Sequence, residues 1–405
     1  MRGMTDHVLV VGGGLAGPLA ALALAQAGLR ATVLDAGPRP APRPFDGRAY
    51  ALSLGSVRMC QALGVWDRVE APEAIRGIRA SDGRPGEGAS SLHLRFDAAE
   101  IGEPFMGQMV EDRHLRAALI GACEAEPAVA LRFDAPVTAQ AVDGAAVRAT
   151  LEGGETLEGA LLVGCDGRAG GVAGRAGLRR EVKDYGQTAL TCALHHERPH
   201  GGVAHQLFLP AGPLAILPLT EDRSSLVWTE ARGTAEAITA LPDEEYLEIL
   251  RPRFGSFLGG IALAGARGTY PLTLTQAPRV APRVALAGDA AQGIHPIAGQ
   301  GLNLGFKDVA ALAEVLRDAR RRGEDVGAPD VLERYARWRR FDAAQMGLAT
   351  DAVNRLFSND APLLRAARRL GLGAVNAAPG LKRRFIREAA GLAGDLPLLL
   401  RGRAL

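Results

Sequence analysis

Gly12-Gly13-Gly14-Leu15-Ala16-Gly17 is a GxGxxG run between a β-branched stretch, Val8–Val11, and a segment of helical length, Leu15–Ala27. Its chemistry is anion binding. Gly12 permits the tight turn, Gly14 lets backbone approach a pyrophosphate, and Gly17 lets helix and strand pack closely. The helix start, at Leu15 and Ala16, adds unpaired N–H groups and a partial positive charge. Asp35 closes the next strand-like run, Ala31–Leu34, where a carboxylate can hold ribose hydroxyls. An adenine dinucleotide is implied, and NAD and FAD share this fingerprint.

A second glycine-dense stretch decides between them. Val284–Ala287 reads as a strand running into Gly288-Asp289, and the chain continues through His295, Pro296, Gly299, Gly301, Leu302 and Asn303 into a helix. Such a loop suits close backbone approach to a flat ring and its ribityl chain, so FAD is expected. Asp289 can accept from a ribityl hydroxyl; taken alone it would be read as a helix N-cap. The helix beginning near Gly301 can stabilise negative charge developing on a ring system. His295 carries two readings, a proton-transfer group and a loop-packing residue bonded to backbone.

Other chemistries are not supported. The four cysteines, Cys60, Cys123, Cys165 and Cys192, are spread out with no CxxC or Cys/His cluster, so no metal site and no disulfide scaffold is expected. HExxH and GxxxxGK[ST] are absent, and no Ser-His-Asp or Cys-His arrangement has a persuasive context. A net charge of +2 gives no whole-chain field for nucleic acid. Only three lysines occur, Lys183, Lys307 and Lys382, so arginine carries the positive charge.

These motifs need elements to hold them. With 405 residues the chain is comfortable for two cores. Val8–Val11, Leu15–Ala27 and Ala31–Leu34 make a βαβ unit, followed by a Pro/Arg-rich loop and a helix from Ser53 to Leu63. Arg113–Ala125 reads as a helix, and Leu131–Val137, Ala145–Leu151 and Thr156–Leu162 as small strands, the last ending in Val163-Gly164-Cys165-Asp166-Gly167. Alternation dominates from Thr188 to Leu274, with one helical insertion near Asp243–Arg251. Leu302–Leu316 is helical in pattern, and Val331–Leu405 is mostly helical. The expected fold is α/β with α+β elements: a Rossmann-like nucleotide-binding domain (1–72, 108–182 and 276–330) interleaved with a β-sheet substrate domain (73–107 and 183–275), plus C-terminal helices (331–405).

Gly12–Gly17, Cys165-Asp166-Gly167 and Gly288-Asp289 occur in the order and spacing of the FAD-dependent aromatic hydroxylases related to para-hydroxybenzoate hydroxylase, which the chain resembles. More narrowly, Asp46–Ser53, Ala290–Gly301, Pro199–Gln206, Gly212–Leu219 and the Thr350–Ser358 piece resemble the ubiquinone-biosynthesis hydroxylases, so the likeness covers nearly the whole chain. The resemblance implies an FAD-dependent monooxygenase that uses NAD(P)H and dioxygen, through a flavin C4a-hydroperoxide, to hydroxylate a polyprenylated phenol. It assigns the first motif to ADP, the Asp166 motif to pyrophosphate and NAD(P)H handling, and Asp289 to the ribityl. It also places Arg48, Arg113 and, more weakly, Gln108 against the FAD. His295 and Pro296 are then flavin-loop supports, Pro296 limiting flexibility, while the flavin carries the chemistry. One departure stands out: Gly170 and Ala173 occupy the family's usual serine and arginine places, leaving Arg168 or Arg175 as substitutes in handling the electron donor. Alternatives in view are another aromatic hydroxylase, an isoprenoid reductase of the same superfamily, and a non-catalytic flavin-containing subunit that binds a quinone precursor.

His200 and His205, in the Pro199–Gln206 motif, are read as structural. The tail is basic: Arg365, Arg368, Arg369, Lys382, Arg383, Arg384, Arg387, Arg401 and Arg403, interleaved with Leu363, Leu364, Leu370, Leu372, Phe385, Ile386 and Leu396–Leu400. Two readings stand, an amphipathic cap packed on the domain and a patch meeting anionic lipid. With no signal-peptide pattern and no apolar run of spanning length, a cytoplasmic protein is expected, peripheral at the inner-membrane face. The partners expected from the resemblance are the prenylated phenol, dioxygen and other ubiquinone-biosynthesis proteins.

Overall fold

The computed structural model describes residues 6–405 apart from 85, 87, 90–92, 295–299, 341–370 and 372. Strand β1 (His7–Val11), helix α1 (Ala16–Gln26) and strand β2 (Arg30–Leu34) form the N-terminal βαβ unit. Strand β3 (Ala49–Ser53) leads into α2 (Leu54–Ala62), and strand β4 (Gly107–Glu111) leads into α3 (Asp112–Ala125). Then come β5 (Val129–Arg132), β6 (Leu161–Gly164), β7 (Val284–Leu286) and the long α4 (Gly301–Arg321).

The parallel sheet runs β7-β6-β1-β2-β5, with Val280–Ala281 as an antiparallel edge beyond β7. Val8, Val10, Leu161 and Val163 are fully buried against Leu19, Phe306 and Leu312 of α1 and α4. Parallel strands covered on both faces read as continuous apolar runs, which is why these were legible. The other large sheet centres on Glu181–His196, flanked by Arg223–Ala231 and Gly268–Gln276. Gly212–Leu219 and Val203–Leu209 extend it as a hairpin, so the motifs at 199–206 and 212–219 lie side by side. One face of this sheet buries Leu190, Leu194, Ile216 and Trp228 under the helices Arg232–Thr239 and Asp243–Phe254. The other turns Ala193, Leu217 and Leu219 toward Phe45, Ala49, Ala51 and Met109 of the first body.

Three expectations are corrected, and the C-terminal helical region is bounded more closely. Thr156–Leu162 is two strands: Thr156–Gly159 pairs antiparallel in a three-stranded sheet, while β6 enters the parallel sheet. No polar break marks the crossing, so the sequence pattern runs straight through it. Leu131–Val137 is divided because Asp134 sits at φ +52°, a turn conformation, between β5 and the strand Val137–Asp143. The helical insertion is a pair, Arg232–Thr239 having been missed. The last residues are not α-helical: beyond helix α5 (Pro379–Ala389) the chain turns, and a short 3-10 turn at Leu398–Arg401 buries Leu399 and Leu400. The Thr350–Ser358 piece, Arg365, Arg368, Arg369, Leu363, Leu364, Leu370 and Leu372 lie outside the described residues. Gln292–Gly293, in the segment assigned to the nucleotide-binding domain, pairs with Gly268–Gln276 and so joins the second sheet.

Candidate functional site

The carboxyl ends of β1, β6 and β7 are neighbours, because those strands are neighbours in the sheet. The three glycine-containing motifs follow these ends. Gly12 takes φ +111°, and a Cβ there would overlap the Cys165 carbonyl of the Asp166 turn. A Cβ on Gly17 would overlap the Gly12 carbonyl, so both glycines serve the turn itself. Gly14 differs: a Cβ there would have no atom within 4 Å. Leu15, the α1 N-cap, makes no side-chain cap, and no acid stands in the first turn, so the helix start keeps its N–H groups for an anion. Asp35, after β2, accepts from the amides of Gly13 and, at 2.8 Å, Gly37.

Gly288 and Ala16 approach each other, a Cβ on Gly288 lying 3.5 Å from that of Ala16, so the first and third motifs meet. The second joins the third through Arg168. Its Nε donates to Asp289 Oδ2 at 3.0 Å and its terminal nitrogen to the Ile294 carbonyl at 3.3 Å. Arg180 bridges the same loops, donating to the carbonyls of Arg168 and Ala290. Tyr270 of the second sheet feels the Arg168 charge, while burial pushes its phenol up to about 12, leaving it neutral. Asp166 accepts from the Val172 amide at 2.9 Å through Oδ2, and its buried Oδ1 has no partner. Gly170 is glycine because its Cβ would overlap the Asp166 carboxyl. Arg175 turns away, toward Gln140 Oε1 at 3.3 Å, so of the two arginines beside the altered segment it is Arg168 that faces the loops.

Arg48, Gln108 and Arg113 gather on the β3/β4 ladder: Arg48 precedes β3, Gln108 opposes Leu52, and Arg113 is in the first turn of α3. Arg48 pairs with Asp46 at 2.7 Å and stands 3.9 Å from the buried Asp112. Burial raises the Asp112 pKa, but Arg116, Tyr50 and Arg48 outweigh it and hold the carboxyl below its usual range. Arg43 joins the same carboxylate, so half-exposed guanidiniums are presented around one buried acid. Arg113 is bound to Glu111 at 2.7 Å, and Glu111 also accepts from Arg223 of the second sheet at 3.0 Å, which ties the two bodies together.

Leu302 and Asn303 open α4 behind Gly301. The Asn303 side chain is engaged by protein: Oδ1 accepts from the Ser53 amide and the Ser56 hydroxyl, each at 2.8 Å, and Nδ2 donates to the Ala51 carbonyl. That side chain therefore braces α4 against the β3–α2 corner. His295, Pro296 and Gly299 lie outside the described residues. His200 bonds backbone through both ring nitrogens, to Leu219 and Gly202, and His205 lies 4.3 Å from the Phe257 ring with burial pushing its pKa down to about 4. Sequence reasoning missed Arg279 and Asp308, which hold the Gly288 turn from behind; their only sequence signal is charge inside apolar stretches. Among the described residues no group of three metal-ligating side chains occurs.

The residues fit FAD: an open glycine at the helix start, an unpartnered buried carboxylate oxygen, exposed guanidiniums, and a third loop carrying Asp289. Such an arrangement, with a second sheet facing the strand ends, defines an FAD-binding flavoprotein. Residues 5–348 match the FAD binding domain family. Ubiquinone hydroxylase UbiL of Rhodospirillum rubrum is 45% identical over 402 residues, covering 98% of this chain and 92% of that protein. The 3-demethoxyubiquinol 3-hydroxylase of Escherichia coli is 37% identical, covering 97% of this chain and all of that one (100%). p-Nitrophenol 4-monooxygenase PnpA of Pseudomonas putida shares the fold, with TM-score 0.77 at 22% identity over 96% of this chain and 98% of that one. The chain belongs to the FAD-dependent ubiquinone hydroxylases, and FAD is its cofactor.

Proposed function

We propose that the protein hydroxylates the aromatic ring of a polyprenylated phenol on the route to ubiquinone, taking electrons from NAD(P)H and oxygen from dioxygen. The observation carrying this reading is the junction at Arg168, where the Asp166 and Asp289 loops are joined against Gly293 and Thr275 of the second sheet. A ring held there would lie between the nucleotide-binding strand ends and a separate wall. Gln292 and His295 resemble the flavin loop of the 2-octaprenyl-6-methoxyphenol hydroxylases, and the E. coli relative is named for position 3, so product analysis sets the ring position.

Bound FAD would supply two-electron transfer and the activation of dioxygen. The protein's own part is placement and shielding. On the turn that Gly12 and Gly17 shape, Gly14, Leu15 and Ala16 would present backbone to the pyrophosphate, with Arg48 and Arg113 toward the diphosphate and Asp35 toward the adenosine ribose. Gln108 and Asp166 would complete that side, Asp166 Oδ1 gaining a partner. Gly288 and Asp289 would hold the ribityl chain, and Gly299, Gly301, Leu302 and Asn303 would bring α4's N–H groups toward the ring. His295 and Pro296 would support the loop between. Leu217, Leu219 and Tyr270 would furnish the facing wall, mostly apolar, which keeps water from the reacting centre. A polyprenyl tail partitions into lipid, so the reading includes contact with the inner-membrane face and with other ubiquinone-biosynthesis proteins. Among the described residues no helix is long and apolar enough to cross a membrane.

The test is reduction of bound FAD by NAD(P)H with and without a prenylated phenol. Acceleration by the phenol, with a hydroxylated product under air, is expected. Fully flavinated protein that yields neither would overturn the reading.

Arg168 gives a sharper expectation. Arg168 and Asp289 side chains are 33% and 40% exposed, so solvent limits their coupling to ~1 kcal/mol, about fivefold in FAD affinity. Arg168→Met should lower the unfolding midpoint of apoprotein only slightly and, by leaving Asp289 less firmly placed, weaken FAD binding by no more than about fivefold. Tighter FAD binding in this variant would mean that Arg168 competes with the ribityl chain for Asp289.

A further inference from the structure

Helix α5 shows two different faces. Ile386 is fully buried (0% exposed) and packs with Ala390 against Leu54, Ala98 and Met106, while Lys382 is spent on Glu100 at 2.7 Å. That inward face is a cap. On the outward side Leu381 and Phe385, one turn apart, are 45% and 44% exposed. Arg384 is exposed beside them and Arg383 and Arg387 are exposed farther round the helix, and among the described residues no hydrogen bond or ion pair engages these three. Glu388 is the one acid of the helix.

We propose that the outward face of α5 docks the protein on an anionic lipid bilayer. Two exposed apolar side chains suit insertion at the headgroup level, and the guanidiniums on the solvent-facing side of the same helix, within reach of the surface potential, suit lipid phosphates. A protein partner would call for acidic groups matched to each guanidinium and a shaped apolar recess; a bilayer supplies diffuse negative charge and a deformable apolar layer. On this proposal the cap and lipid readings of the tail belong to different faces of one helix.

The placement adds a consequence. The Gly55 amide donates to the Ala390 carbonyl at 3.1 Å, so α5 ends against the start of α2. The β3–α2 corner is in turn braced by Asn303 in the first turn of α4. The docking face is thus anchored to elements one step from the Gly288–Gly301 stretch, where a lipid-borne ring would have to arrive. This consequence rests on the prenylated-phenol reading; the docking itself does not.

The experiment uses full-length, FAD-loaded protein and sedimentation with phosphatidylcholine vesicles, with and without phosphatidylglycerol. Each basic side chain near an anionic surface contributes about fivefold to partitioning, so Arg383→Gln with Arg384→Gln should lower binding about 25-fold. Leu381→Ser with Phe385→Ser should lower it as well, and the wild-type interaction should weaken with salt. Both double variants should keep FAD content, unfolding midpoint and turnover of a short, water-soluble phenol, and lose turnover of a polyprenyl phenol carried in anionic vesicles. Equal binding of wild type and variants, or no preference for phosphatidylglycerol, would overturn the proposal. So would a wild-type protein that ignores vesicles and instead binds a protein partner through Arg383 and Arg384. Salt-sensitive, variant-sensitive vesicle binding with no phenol turned over would sustain docking and sink the hydroxylase reading instead.

Discussion

Replacing Gly14 by valine is expected to yield a folded protein without flavin. A Cβ at Gly14 would meet no atom within 4 Å, and the backbone there is not in the left-handed region, so a side chain can start from it without a clash or backbone strain. What it does obstruct is backbone approach at the start of α1, where the pyrophosphate of FAD belongs. Loss of the short, charge-assisted contacts made there should lower affinity by at least about 100-fold. Gly17→Val is the instructive contrast, since its side chain would overlap the Gly12 carbonyl and should unfold the β1–α1 junction. Circular dichroism and flavin absorbance separate the two cases. A Gly14→Val protein with normal flavin content would place the pyrophosphate elsewhere.

Asp308→Ala should destabilise the protein by about 3–5 kcal/mol, the cost of leaving buried charge without its partner. Asp308 is 1% exposed and meets two guanidiniums, Arg279 at 2.8 Å and Arg339 at 2.7 Å, and it also accepts from the Gly288 amide at 3.1 Å. Burial alone would weaken the Arg279 charge; Asp308 and Tyr335 reverse that and raise its pKa. Arg279 donates its other nitrogen to Gln292 at 3.1 Å, so removing Asp308 loosens both ends of the Gly288–Gln292 turn. FAD content should fall with the unfolding temperature. Glu155→Ala, which breaks a solvent-exposed pair with Arg132, should leave the unfolding midpoint nearly unmoved. Equal midpoints for the two variants would contradict a structural role for the Asp308 network.

Those two positions mark what the sequence could and could not reveal. Gly14 was legible because a local turn, its strand and its helix lie within twenty residues, and each obeys a short-range rule. The parallel strands were legible because burial on both faces writes an apolar run. Asp308 was not legible. Its partners come from 279, 288 and 339, and only the packing of α4 against the end of β7 brings them together. The crossing from Thr156–Gly159 to β6 was hidden for the opposite reason: only Ala160 separates the two strands, too little chain to write a turn signal. Arg168 stood beside a visible departure from the family pattern, yet its bridge to Asp289 depends on two loops meeting at adjacent strand ends.

Isotope incorporation tests most directly whether dioxygen supplies the new oxygen on the phenol ring. Flavinated protein, NAD(P)H and a prenylated phenol are incubated under labelled dioxygen in ordinary water, and the product is weighed by mass spectrometry. One labelled oxygen atom is expected in the product, and no product without dioxygen. Label appearing only from labelled water, or product forming under strict anaerobiosis, would contradict the hydroxylase reading.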